Sequence, residues 1–201
     1  MTLIIGLTGS IGTGKSTIAN HMKSLHIPIV DADVVAREIV EPGKKAYNDI
    51  VETFGKEVLY EDGTINRPAL GKIVFSDEAK RKALNAITHP EIRKEIIRQR
   101  EAYVAQEVPC VVLDIPLLYE SNLIDYVDKV IVVSVSEQTQ MKRVMERDGS
   151  TKEAALQRIQ SQIPVKEKEK MADAVIDNNG TKEASYKQLE DILTAWNIPI
   201  K

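Results

Sequence analysis

Residues 9–16 satisfy the pattern G-x-x-x-x-G-K-[ST] at every position, and the chain on either side reads as the strand and helix that the pattern needs. The apolar run from Leu3 to Leu7 has the composition of a buried strand, and helical spacing begins at Thr17 and continues to Leu25. Strand, tight loop and helix in this order constrain backbone and chemistry together. The glycines let successive N–H groups curl round a polyphosphate, and the helix N-terminus adds partial positive charge. Lys15 then reaches the outer phosphates, and the Ser16 hydroxyl becomes a ligand for Mg²⁺. Gly9, Gly12, Thr13, Gly14 and Thr17 complete the candidate cradle. The alternative is a glycine-rich turn carrying a solvated lysine.

Four further β-rich runs follow, at 27–30, 111–115, 129–135 and 174–176, alternating with helical patterns. With a first strand at 2–8, the alternation predicts an α/β fold: a five-stranded parallel sheet covered by helices on both faces. Between the second and third runs no comparable strand appears, so this stretch reads as an insertion that carries recognition. Asp62 and Gly63 mark a turn, and Asn66 opens a helix with Pro68 near its first position. His89 and Pro90 are expected to interrupt the helical pattern, which resumes from Glu91 to Glu107. A second special segment, from Gln138 to about Lys170, is helical and rich in alternating charge, with a break at Asp148, Gly149 and Ser150. Within it, the run from Lys166 to Lys170 reads as a solvated helix face.

Size and charge narrow the function. A chain of 201 residues suits one domain with elaborations. Its 27 Lys and Arg against 30 Asp and Glu give a net charge of −3, which argues against nucleic acid as the main partner. Apolar runs such as Val130 to Val133 fall far short of the ~20 residues that span a bilayer, and the N-terminus lacks the pattern of an export signal. Cys110 stands alone, so no internal disulfide forms; it reads as a small core residue in a reducing cytoplasm. The three histidines, His21, His26 and His89, lack the spacing of a zinc site.

Acidic residues at predicted strand ends are the next candidates. Asp31 and Asp33 fall where the second strand ends, at the carboxyl edge where open α/β sheets bind ligands. A carboxylate there can orient an acceptor hydroxyl, or take its proton, for attack on a terminal phosphate. Helix capping, with a surface ion pair to Arg37, explains the same residues without function. Asp114 closes an apolar strand at the position of a Mg²⁺ ligand. Arg143 and Arg147, four apart, either neutralise phosphate charge when their segment closes or pair as solvated residues with Glu146 or Asp148. Arg158 is ambiguous in the same way.

Taken together, Thr8 with the loop to Ser16, Asp31-Ala32-Asp33 with Arg37, His89-Pro90, Asp114 with Pro116, Leu117, Leu118 and Glu120, Arg143 with Arg147 and Asp148, and 177–180 resemble the dephospho-coenzyme A kinase family. The resemblance runs in order along nearly the whole chain. It implies a single P-loop kinase domain with a core at about 1–58 and 108–201, a helical CoA-binding insertion at about 59–107, and a helical lid at about 140–170. The implied reaction is ATP-dependent phosphorylation of the ribose 3′-hydroxyl of dephospho-CoA, with Mg²⁺. By the same resemblance Asp33 activates that hydroxyl, with Lys15, Arg143 and Arg147 as the other catalytic groups. Asn178 belongs to the nucleotide-base pocket, and Thr8, Asp31, Arg37, His89, Leu117 and Glu120 belong to the acceptor side. The expected protein is cytoplasmic, a monomer or weak homo-oligomer, with no membrane or nucleic-acid partner. A kinase for another small acceptor, such as a nucleoside monophosphate, is the near rival. A nucleotide-dependent switch is the distant one, since no guanine-reading Asn-Lys-x-Asp is present.

Overall fold

In the computed structural model, which describes residues 1–200, five strands form one parallel sheet in the order β2-β3-β1-β4-β5. They are β1 (Leu3–Gly9), β2 (Ile29–Asp31), β3 (Cys110–Asp114), β4 (Lys129–Ser134) and β5 (Ala174–Asp177). Each expected strand is present, shifted by one or two residues at its ends. β1 lies between β3 and β4, with Leu7 opposite Asp114 on one side and Ile131 on the other. A central parallel strand is covered on both faces, so β3 is buried along its whole length and β1 from Ile5 onward.

Period-two alternation decides which side chains share a face. Ile5, Leu7, Val112, Ile131, Val133 and Ile176 join one core with Ile18, Ala19 and Met22 of α1 (Lys15–Ser24) and Leu189 and Leu193 of α9 (Lys182–Ala195). Each fully buried Leu or Ile contributes ~1.5–3 kcal/mol of transfer free energy. Cys110 belongs to this core, and burial pushes its thiol up to about 11.

The chain divides into two compact units, Met1–Val30 with Arg100–Lys201, and Asp31–Gln99. The second takes in most of the expected insertion together with α2 (Ala32–Glu38) and α3 (Lys45–Phe54). Its own core gathers Ile50, Phe54, Val58, Ile65 and Leu70. Asn66 caps α4 (Arg67–Ser76) by accepting from Ala69 N at 3.0 Å, with a proline in the first turn. Beyond it, α5 (Glu78–Ala105) is one helix of 28 residues with Pro90 inside. The expected interruption at His89-Pro90 is therefore absent. Proline removes the N–H that would bond Ala86, but Ala86, His89 and Pro90 are exposed, so water can satisfy the freed carbonyl.

The charged segment after β4 forms α6 (Glu137–Asp148), α7 (Lys152–Gln160) and α8 (Val165–Met171). Gly149 ends α6 in the left-handed conformation, φ 57°. No described helix is long and apolar enough to cross a membrane.

Candidate active site

The loop between β1 and α1 is shaped before any ligand arrives. Gly12 and Gly14 take φ of 79° and 86°, where a side chain would be strained. Space is short as well: a Cβ on Gly12 would come within 2.8 Å of Val144 Cγ2, and one on Gly14 would collide with the Asn178 amide. Thr13, fully buried, ties the turn by donating its hydroxyl to Ser10 O at 2.9 Å. No side chain caps the N-terminus of α1, which follows Gly14 directly. Its orphan N–H groups and partial positive charge make the end of α1 an anion site.

Lys15 pairs with Asp114, the last residue of β3, and both side chains are largely buried. The exposed Ser16 hydroxyl and the Asp114 carboxylate are the oxygen donors expected of a Mg²⁺ bound chiefly through phosphates. Among the described residues no group of three or more His, Cys, Asp or Glu is arranged to hold a metal by itself. A metal here would therefore depend on the ligand's own phosphates, which is how P-loop kinases hold Mg²⁺.

Most of the other residues expected at ligand surfaces have protein partners. Asn178, assigned to the base pocket, is buried; its amide donates to Thr13 O at 2.8 Å and accepts from Ser185 Oγ at 2.7 Å. Thr8 is fully buried and donates to Pro116 O at 3.0 Å. Glu120 accepts from Ile163 N at 3.1 Å and pairs with Lys168 at 2.8 Å. Leu117 is left exposed. Arg143 reaches the loop, donating to Asn178 O at 2.9 Å and Thr13 O at 3.5 Å. Arg147, one turn later, bonds Asp148 at 2.7 Å, and Arg158 bonds the same carboxylate at 2.5 Å. The bonded Arg147 and the nearby Arg158 hold the Asp148 carboxyl below its usual range. Arg147 thus stands in the solvated pairing that its spacing also allowed.

Three further bracing residues were not singled out from the sequence. Gln162 accepts from Ser10 Oγ and Ile11 N, both at 2.9 Å. Gln140, buried, donates to Ser10 Oγ at 2.9 Å and Ile11 O at 2.8 Å. Lys168 is fully buried, contrary to the expectation that the run 166–170 is a solvated face. Within that run Lys166 and Lys170 are exposed, but Lys168 lies three residues after Val165, the other buried residue of α8. That spacing from an apolar residue was the one available clue.

In the second unit, Asp31 accepts from Asp33 N at 2.9 Å and Val34 N at 3.2 Å, capping α2. Asp31 is thus committed to the backbone. Asp33, Arg37 and His89 are exposed, and no described residue engages their side chains.

Comparison with known proteins agrees along the whole chain. The family model for dephospho-CoA kinase matches residues 3–184. A dephospho-CoA kinase of Bacillus anthracis is 54% identical over 198 residues, covering 98% of this chain and 99% of its own. One of Oceanobacillus iheyensis is 52% identical over 198 residues, covering 98% and 100%. A solved structure of dephospho-CoA kinase from Campylobacter jejuni, 32% identical, superposes with a TM-score of 0.76 over 98% of both chains.

Proposed function

The chain belongs to the dephospho-coenzyme A kinase family, which carries out the final step of coenzyme A synthesis, and from that premise we propose how its own residues perform the transfer. The observation that carries the reading is the loop 9–16, built around an uncapped helix N-terminus with Lys15 beside it. ATP lies with its phosphates on this loop. Lys15 leaves Asp114 for the outer phosphates, and Asp114 and Ser16 would hold Mg²⁺. When bound, the metal would supply charge neutralisation on the transferring phosphoryl.

The acceptor is dephospho-CoA, phosphorylated on its ribose 3′-hydroxyl. Asp33 orients that hydroxyl and takes its proton; with no partner of its own, its carboxylate is available to do so. Arg37 and His89 bind the acceptor, and the exposed Leu117 packs on it. Arg143, already at the loop, lowers the charge of the transition state. Arg147 exchanges Asp148 for phosphate as its segment closes. Asn178 and Thr8 act through the loop rather than on the ligand. The buried thiol of Cys110 fits a reducing cytoplasm, and the chain acts as a monomer or weak homo-oligomer.

Mass spectrometry of products formed from Mg·ATP and dephospho-CoA tests the reaction, with AMP and CMP as competing acceptors. The expected result is a gain of one phosphate on dephospho-CoA. Equal or faster transfer to a nucleoside monophosphate would replace this acceptor, and acceptor-independent hydrolysis would point to a switch.

A further inference from the structure

Among the described residues, Lys168 leads the fully buried side chains by volume, at 0% exposure. An ammonium taken out of water is costly unless its N–H groups find acceptors and its charge a partner. Lys168 has both. It donates to Gly9 O at 2.7 Å and Pro116 O at 3.4 Å, and it pairs with Glu120 at 2.8 Å. Gly9 is the first glycine of the phosphate loop, and Pro116 O also receives the Thr8 hydroxyl. Glu120 in turn holds Ile163 N, just ahead of α8. One buried cation therefore joins the end of β1, the segment after β3 and the entry to α8. The neighbouring Lys166 and Lys170 do nothing similar, since each pairs with an acid of its own helix near the surface.

We infer that Lys168 is a positioning residue for the transfer, one that sets the loop 9–16 in its ATP-ready shape before nucleotide binds. Its hydrogen bond fixes the Gly9 carbonyl, and with it the direction in which the chain enters the cradle. The next two residues are fixed by Gln140 and Gln162, and Thr13 by Asn178. A loop held at these points loses little further freedom when ATP arrives, so affinity is not spent on ordering it. The stretch from Gln162 to Lys168, inside the expected lid, is by this account a fixed foundation of the loop. The inference rests on the reading of 9–16 as the ATP cradle.

The test separates positioning from bulk stability. Lys168→Met keeps length but strands the Glu120 carboxylate, whose second oxygen is already buried without a partner among the described residues. It is expected to lower the melting temperature and weaken ATP binding by about 10-fold or more. Lys168→Met with Glu120→Gln removes the stranded charge, so the melting temperature should recover while the ATP Kd stays about 10-fold raised. A merely structural role predicts that affinity returns with stability. A folded double variant binding ATP within about twofold of wild type would overturn the proposal. Wild-type titration run alongside tests the cradle itself, and its failure would show as no ATP binding in any form. Should the variants not fold, hydrogen exchange on the nucleotide-free wild type still decides. The amides of Ser10, Ile11 and Thr13 are expected to be protected before ATP is added. Exchange at the free-peptide rate would refute a preset loop.

Discussion

Around residues 9–16, Thr8, Ser10, Thr13 and Lys15 all have protein partners, whereas Asp33, Arg37 and His89 are exposed with side chains bonded to nothing described. The first region is rigid by construction. The buried Asn178, Gln140 and Lys168 hold its backbone from several directions, and two of its glycines occupy space that no side chain could share. The second presents its side chains on ordinary helices, α2 with Val35 buried and α5 with Ala83, Leu84 and Ile87 packed on the core around Ile50 and Phe54. On the proposed reading, binding ATP needs little reorganisation, while the acceptor itself fixes Asp33, Arg37 and His89. Specificity gained in that way depends on the correct acceptor being present.

The contrast is broken most decisively at Lys15. Lys15→Ala should abolish phosphoryl transfer, by ~10³-fold or more, in a protein whose circular dichroism is unchanged. Residual turnover near wild type would mean the loop does not carry the reaction. Next in size, Asp33→Asn should cut turnover by at least ~100-fold while leaving ATP binding nearly intact, because its exposed side chain holds up no part of the fold. Near-normal turnover removes Asp33 from the mechanism, and lost ATP binding removes the division between the two regions.

Asn178→Ala sharpens the comparison from the rigid side. It removes the two short bonds to Thr13 O and Ser185 Oγ and leaves only longer ones, from Arg143 to Thr13 O and from Ser185 Oγ to Thr181 O and Asp177 O, so we expect ~1–3 kcal/mol of lost stability and ATP affinity weakened by several-fold. Unchanged ATP affinity, measured by titration, would show that this brace does not serve the nucleotide.

The smallest effect lies in the second unit. The Arg98 guanidinium bonded to Glu95 holds that carboxyl at about 2, against an ordinary 4.5. The unfolded chain takes up the proton near 4.5 and the folded unit only near 2, so the contribution is complete above 4.5 and is lost as pH falls through this window. Arg98 is largely exposed, and solvent screening keeps the term below ~1 kcal/mol. Glu95→Gln should flatten acid destabilisation between those limits, and an unchanged acid-melting profile would dismiss the pair.

Much of the molecule was legible because it rests on local rules. Alternating strand and helix patterns fixed a parallel sheet, and Asn66 with Pro68 fixed the start of α4. The helix through Pro90 was not legible: whether proline breaks a helix depends on whether the orphaned carbonyl meets solvent. The burial of Lys168 was equally hidden in a run of alternating charge, although Val165 three residues earlier marks its face.

Sequence alone determined the phosphate loop, the strand order along the chain and the family, because contiguous residues encode backbone shape and hydrogen-bonding capacity directly. Only tertiary structure decided which polar side chains are spent on holding that loop. Gly9 and Lys168 lie 159 positions apart, and Thr13 and Asn178 lie 165 apart. Pairings at such separations arise because α8 packs on β4 and the edge strand β5 pairs with it, next to β1 and its loop. A buried polar group then takes whichever partner that packing supplies, since being left without one costs more than any local preference it satisfies.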